Sequence, residues 1–249
     1  MTPFTIYPAI DLRHGRVVRL EQGDPRRQTS FHDDPLFVAQ SWIAQGARWL
    51  HVINLDGAFE QAGRENWEIL PELTRLKAKI QFGGGLRTGG DIERAFTLGV
   101  TRVILGTAAV EDPQLVAAAI RRYGAQRVTV ALDARAGQIN VRGWQSQSTL
   151  SLLDLARQLL PLGLRTVIHT DIGRDGLLTG LNVSASAELA RQTGLEVIAS
   201  GGLATLDDIR RAKNQADPRL AGVIIGRAIY DGRVDLSQAI ALAEEESGC

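Results

Sequence analysis

Two aspartates and two glycine-rich runs carry the chemistry this chain could perform. Asp11 closes the apolar run Tyr7-Pro8-Ala9-Ile10, and Asp133 closes the run from Val128 to Leu132. A carboxyl group in such a place can act as a general base when ionised or as a general acid when protonated, if its surroundings separate its pKa from that of its partner. The plainer alternative for each is a helix cap or a turn residue. The runs Gly84-Gly85 and Gly201-Gly202 are each followed by a second element, Gly106-Thr107 and Gly226-Arg227. Glycine lets the backbone approach an anion closely, and successive N–H groups beside a helix N-terminus supply donors and positive potential. Both sets read as phosphate cradles, with a tight turn as the plainer alternative.

The chain repeats itself around these residues. Gly84-Gly85-Leu86-Arg87-Thr88 returns as Gly201-Gly202-Leu203-Ala204-Thr205, and Val103-Ile104-Leu105-Gly106-Thr107-Ala108 returns as Val223-Ile224-Ile225-Gly226-Arg227-Ala228. Ile10-Asp11-Leu12 beside Gly15 parallels Leu132-Asp133-Ala134 beside Gly137, and His51 before Asp56-Gly57 parallels His169 before Asp175-Gly176. Matched chemistry in matched order favours paired acid–base catalysis and the binding of two phosphates over caps and turns.

Short apolar runs alternate with amphipathic stretches, the pattern of βα units around a parallel sheet. Strands are expected near 5–10, 49–55, 80–82, 102–105, 128–132, 166–170, 196–199 and 222–225. Helices are expected near 35–45, 67–77, 91–98, 113–123, 150–160, 184–192, 207–214 and 236–244, with Asp34-Pro35 and Asp112-Pro113 reading as an N-cap followed by proline at the first helical position. The 249 residues match the length of an eight-stranded α/β barrel. Two matched sets of four units close naturally into a single (β/α)8 TIM barrel over 1–249, built from two duplicated half-barrels; an open doubly wound sheet is the alternative. In the barrel, strands one and five are opposite, so Asp11 and Asp133 face each other over the mouth, and the two cradles lie on a roughly perpendicular axis. The ligand this implies is long and anionic at both ends. The connections 12–34 and 134–149 exceed the usual loop length and read as mobile covers over the site. Arg142 and Trp144 in the second cover could stack on a planar heterocycle or anchor the core. His169 beside Thr170 reads equally as catalytic or as packed and hydrogen-bonded.

Composition removes several classes of function. Lys plus Arg and Asp plus Glu number 28 each, and the basic residues are dispersed, which argues against a nucleic-acid partner. Neither a long apolar span nor a charged-then-apolar leader is present, so no membrane association or export is expected and a cytoplasmic location is. The lone Cys249 can form no internal bridge. Lys77, Lys79 and Lys213 are the only lysines, and none ends a strand, which disfavours Schiff-base chemistry. His14, His32, His51 and His169 lack metal-ligand spacing, so neither metal nor cofactor is expected. Oligomeric state is not legible.

Pro8-Ala9-Ile10-Asp11-Leu12 with Gly15-Arg16-Val17-Val18-Arg19-Leu20 and Gln22-Gly23-Asp24, the run Gly83-Gly84-Gly85-Leu86-Arg87, and His169-Thr170-Asp171-Ile172 with Arg174-Asp175-Gly176 resemble the isomerase family of histidine biosynthesis. The resemblance spans essentially the whole chain. It implies the conversion of phosphoribosylformimino-aminoimidazole-carboxamide ribotide (ProFAR), a small molecule with a phosphate at each end, from aminoaldose to aminoketose. It further implies Asp11 as the base, Asp133 as the acid with Asp175 competing for that role, Thr170 polarising or positioning substrate, and Arg19, His51, Arg87, Arg142 and Trp144 as substrate contacts. The sister cyclase that makes imidazole glycerol phosphate typically has Cys-Leu-Asp at the first acid and a lysine in the loop behind it, where this chain has Ala9-Ile10-Asp11 and Arg19. A bifunctional isomerase that also accepts phosphoribosyl anthranilate, and a non-catalytic sugar-phosphate-binding barrel, are the remaining alternatives.

Overall fold

The computed structural model describes residues 3–61, 65–215, 217 and 219–245; Cys249 lies outside them. Twelve strands occur among the described residues: β1 (Thr5–Arg13), β2 (Arg16–Glu21), β3 (Asp24–His32), β4 (Trp49–Asn54), β5 (Lys79–Gly83), β6 (Arg102–Leu105), β7 (Val128–Arg135), β8 (Gln138–Val141), β9 (Ser146–Ser151), β10 (Thr166–Asp171), β11 (Glu196–Ser200) and β12 (Leu220–Ile225). Eight of them pair in parallel in the order β1, β4, β5, β6, β7, β10, β11, β12, and β12 pairs back onto β1. The ring is closed, with helices in the connections. The chain is therefore a (β/α)8 barrel, and the open-sheet alternative is excluded by the pairing Thr5 with Gly222 through Pro8 with Ile225.

Side chains alternate across a strand with period two, and this sorts the apolar residues into two cores. One lies inside the ring and contains Tyr7, Ala9, Ile104, Ile168, Ile198 and Ile224, with Trp49, Ile53 and Ala131 against them. The larger one lies between ring and helices and includes Ile10, Leu50, Val52, Phe82, Leu105, Leu132 and Val167. Asp11 is thus the next inward position after Tyr7 and Ala9, and Asp133 the next after Ala131. Each carboxyl crowns an apolar barrel interior at the carboxyl end of its strand.

The expected helices are present, with bounds displaced by a few residues at most: the helix expected near 67–77 is Glu65–Thr74, and the one near 150–160 is Leu152–Leu159. Asp34 and Asp112 each accept two backbone N–H groups at helix starts led by Pro35 and Pro113. Thr88 with Asp91 and Thr205 with Asp208 form capping boxes directly behind the two glycine runs. None of the helices among the described residues is long and apolar enough to cross a membrane.

The two long connections depart from the expectation of loops, because both contain β-hairpins. β1 and β7 run on past the barrel rim, and β2 and β8 fold back antiparallel on them. The turns are His14-Gly15 and Ala136-Gly137, with φ of 49° and 74° and of 50° and 81°. Positive φ at both central residues matches the turn whose twist suits a two-residue hairpin. β3 and β9 complete the two arms.

The first arm is pinned to the barrel by a buried amide. Asn66 Nδ2 donates to the Leu12 carbonyl at 3.1 Å, to Asn54 Oδ1 at 2.7 Å and to Asp56 Oδ2 at 2.8 Å, and Asn66 Oδ1 accepts from Gly15 N–H at 3.0 Å. Asp56, fully buried, also accepts from His14 N–H at 2.8 Å. Replacing Asn66 by Ala strands these partners, so the variant should lose about 3 kcal/mol of unfolding free energy, the scale for buried polar groups left unpaired, measured by urea denaturation. A loss within about 0.5 kcal/mol would show that the arm is held by its apolar contacts instead.

Candidate active site

The carboxyl-end mouth holds the residues singled out from the sequence as catalytic or ligand-binding, His169 excepted, in two adjoining cavities. The larger is lined by Asp11, Arg19, His51, Gly84, Gly85, Arg87, Gly106, Thr107, Asp133, Arg142, Trp144, Thr170 and Asp175. The smaller is lined by Gly201, Gly202, Gly226 and Arg227 and shares Arg19 and Asp175 with the first. His169 lines neither: its Nδ1 lies 2.8 Å from Ser186 Oγ on the outer helix Val183–Thr193, which makes it the packed, hydrogen-bonded residue of the two readings.

Arg19 organises the carboxyls. Its Nη1 lies 2.7 Å from Asp11 Oδ2, and its Nη2 lies 4.0 Å from Asp175 Oδ1. The arginine is itself buried, reaching inward from β2, and its guanidinium lies so close over Gly226 that a Cβ there would collide with it. Burial raises the pKa of Asp11 to about 6 despite the pull of Arg19, and Asp175 adds to the rise. Asp175 is also pushed up by burial, against Arg19. Asp133 is pushed up by burial and by Asp175, against hydrogen bonds from Trp144 and Thr170. Trp144 Nε1 donates to Asp133 Oδ2 at 2.8 Å. Asp133 is therefore held by neutral donors alone, whereas Asp11 has a cation in contact.

The arms meet above this cluster. The Trp144 ring fills the space over Gly23, where a Cβ would overlap it, and Gly143 lies against Phe59. Gln22 N–H donates to the Asp175 carbonyl at 3.1 Å, tying the first arm to the segment that carries Asp175. Arg142 N–H donates to Thr107 Oγ1 at 2.8 Å, while its guanidinium pairs with Glu111 at 3.0 Å. Arg142, Gly143 and Trp144 have φ of 56°, 61° and 68°.

The glycine corners have matching backbones. Gly84 and Gly201 have φ of 94° and 93°, and a Cβ on either would strike a strand carbonyl, that of Asn54 or of Asp171. In the first corner Arg87 donates to the Gly57 carbonyl at 2.9 Å and pairs with Glu60 at 3.3 Å. In the second, Arg227 pairs with Glu21 at 2.7 Å and Asp231 at 3.0 Å.

Sequence reasoning missed Asn140 and Ser200, both in the wall of the larger cavity. Asn140 Oδ1 is buried without a partner among the described residues. Ser200 is the inward position after Ile198 on β11, one residue past the expected strand end, so strict period-two counting reaches it. Asn140 had no such signal, because its place depends on the arm being a hairpin. Among the described residues, no group of three or more His, Cys, Asp or Glu side chains is placed to hold a metal.

Fold and site together define a (β/α)8 barrel whose mouth carries opposed, desolvated carboxyls between two glycine-lined corners. The chain belongs to the histidine biosynthesis protein family, whose sequence profile matches residues 5–235. It is 44% identical over 242 residues to the 1-(5-phosphoribosyl)-5-((5-phosphoribosylamino)methylideneamino)imidazole-4-carboxamide isomerase of Moorella thermoacetica, covering 96% of this chain and 98% of that one. Proteins of the same name from Rhodopseudomonas palustris (46% over 237 residues, 95% and 96% covered) and Geobacillus kaustophilus (42% over 245 residues, 98% and 100% covered) are similar throughout.

Burying Asp11 has a thermodynamic sign. Its folded pKa near 6 exceeds the ordinary 3.8, so between those values the folded chain binds more protons than the unfolded one. Stability falls as pH rises through that window, and the ionised carboxylate costs on the order of 3 kcal/mol at pH 7. Asp11→Asn should accordingly be at least as stable as the parent at pH 7 in a urea melt. A clear loss of stability would mean that the attraction to Arg19 outweighs desolvation.

Proposed function

We propose that this chain is a ProFAR isomerase, converting the aminoaldose to its aminoketose by carboxyl acid–base catalysis. The carrying observation is the set of three desolvated carboxyls, Asp11, Asp133 and Asp175, with one guanidinium reaching the first and the last, between two glycine corners. The relatives bear the name of this isomerase over nearly the whole chain, and their substrate's name carries two phosphoribosyl groups, which matches the two corners.

Asp11 has a cation 2.7 Å away and so loses its proton more readily than Asp133, whose donors are neutral. This supports Asp11 as the base and Asp133 as the acid, and the approach of Arg19 to Asp175 argues against Asp175 as the acid. Asp133 protonates the ribose ring oxygen, the C1′–O bond breaks, and the nitrogen lone pair forms the imine. Asp11 then removes the C2′ proton, the electrons pass toward the imine nitrogen, and the enolamine tautomerises to the ketose by taking a proton at C1′ as the C2′ hydroxyl gives up its own. Thr170, opposite Asp133 in the β7–β10 register, positions the acid and the sugar. Gly84, Gly85, Gly106 and Thr107 with Arg87 receive one phosphate; Gly201, Gly202, Gly226 and Arg227 receive the other. Arg19, His51, Arg142 and Trp144 contact the substrate between them, and closure of the arms excludes water from the imine.

Incubating the purified protein with ProFAR and following the ketose product tests this reading; no turnover would refute it. Asp11→Asn and Asp133→Asn should each lower kcat by about 100-fold or more in folded protein, and kcat/KM of the parent should fall as pH drops below about 6, where Asp11 takes up a proton. Undiminished turnover in either variant removes that residue from the chemistry.

The two corners should contribute binding used in the transition state. A substrate analogue lacking either terminal phosphate should lose at least about 100-fold in kcat/KM. An analogue that reacts normally without one phosphate would show that its corner is only a turn.

A further inference from the structure

His51 meets the larger cavity with one ring nitrogen already committed. It lies on β4 beside Ala9 in the β1–β4 register, one inward layer below Asp11. Its Nδ1 is 2.8 Å from Gln81 Nε2 on β5, and its Nε2 makes no hydrogen bond among the described residues. Gln81 is fully buried, and its Oε1 receives Arg102 Nε at 3.2 Å and Arg102 Nη2 as well. Arg102, also buried, is cushioned by the rings of Trp49 and Tyr7, whose centroids lie 4.6 and 5.4 Å from its guanidinium carbon. These residues fill the barrel interior below the carboxyls.

The direction of every bond in this chain is forced from one end. A guanidinium can only donate, so the Gln81 atom facing Arg102 must be its carbonyl oxygen. The atom facing His51 must then be the amide nitrogen, which donates. His51 Nδ1 accepts, and the single proton of the neutral ring sits on Nε2. The ring is neutral because burial and the positive charges of Arg19 and Arg102 hold its pKa down to about 3.

We propose that Arg102 and Gln81 are positioning residues that lock His51 in its neutral Nε2–H tautomer, so that it presents a hydrogen-bond donor to an oxygen of the substrate at the cavity floor. The identity of that substrate rests on the isomerase reading; the tautomer does not. An imidazole offered this way polarises or orients an oxygen without exchanging a proton with it. This keeps it distinct from Asp11 and Asp133, which move protons.

Long-range 1H–15N NMR of histidine-labelled protein reads the tautomer directly, without substrate. His51 should show a protonated Nε2 and an unprotonated Nδ1 at pH 7; the reverse pattern overturns the proposal. In Gln81→Glu both side-chain oxygens accept, so Nδ1 should become protonated, and an unprotonated Nδ1 in the folded variant would show that residue 81 does not set the tautomer. Gln81→Leu should lower kcat/KM roughly tenfold, the scale of one hydrogen bond to a neutral group. In a His51→Asn background, where the amide can turn its donor to the cavity unaided, Gln81→Leu should cost less than about twofold. Equal losses in both backgrounds would assign Gln81 to packing alone. If the parent protein fails to turn over ProFAR, the isomerase reading falls while the two NMR results still decide the relay.

Discussion

Three desolvated, partly buried carboxyl groups share the barrel mouth with a single buried guanidinium that reaches only two of them, and the surrounding structure can be understood from that imbalance. Arg19 contacts Asp11, approaches Asp175 and leaves Asp133 to neutral donors. The carboxyls are pushed upward by the same burial, and the unequal reach of Arg19 is what separates them. A symmetric supply of cations would favour the charged form of all three alike, and an absence of cations would leave burial to favour the neutral form of all three. Either would leave the site with one kind of group where the proposed acid–base reaction needs two.

Holding carboxylates in an apolar mouth costs stability, and the cost falls on a frame that deforms little. The closed ring leaves no free edge, and its interior is packed with Ile104, Ile168, Ile198 and Ile224 directly beneath the acids. Asn66 ties the turn at Gly15 to Asn54 and Asp56, so Arg19, three residues beyond the start of β2, is delivered from a braced hairpin. The second arm makes the corresponding delivery to Asp133 through Trp144. Each acid thus receives its partner from an arm that extends its own strand, and the arms touch where Trp144 covers Gly23.

The eight barrel strands, their order and the acids at their ends were legible in the chain, because period-two alternation and the alternation of strand with helix are local patterns. The helix starts at Asp34-Pro35 and Asp112-Pro113 were legible for the same reason. The hairpins of the two arms are not legible, because His14-Gly15 and Ala136-Gly137 lack the asparagine or aspartate that usually marks a two-residue turn, and β3 is mostly exposed and polar. Asn140 went unnoticed with them.

By itself the sequence determined which residue types stand at the carboxyl ends of the strands, and hence that carboxyls and glycine corners share one face. Only the tertiary structure decided which carboxyl meets Arg19, that Trp144 reaches Asp133, that His169 turns outward to Ser186, and that Gln81 links Arg102 to His51. These contacts join segments far apart in the chain, and their energies depend on desolvation and on distances of a few ångströms. Neither quantity exists until the ring has closed and the arms have folded over it.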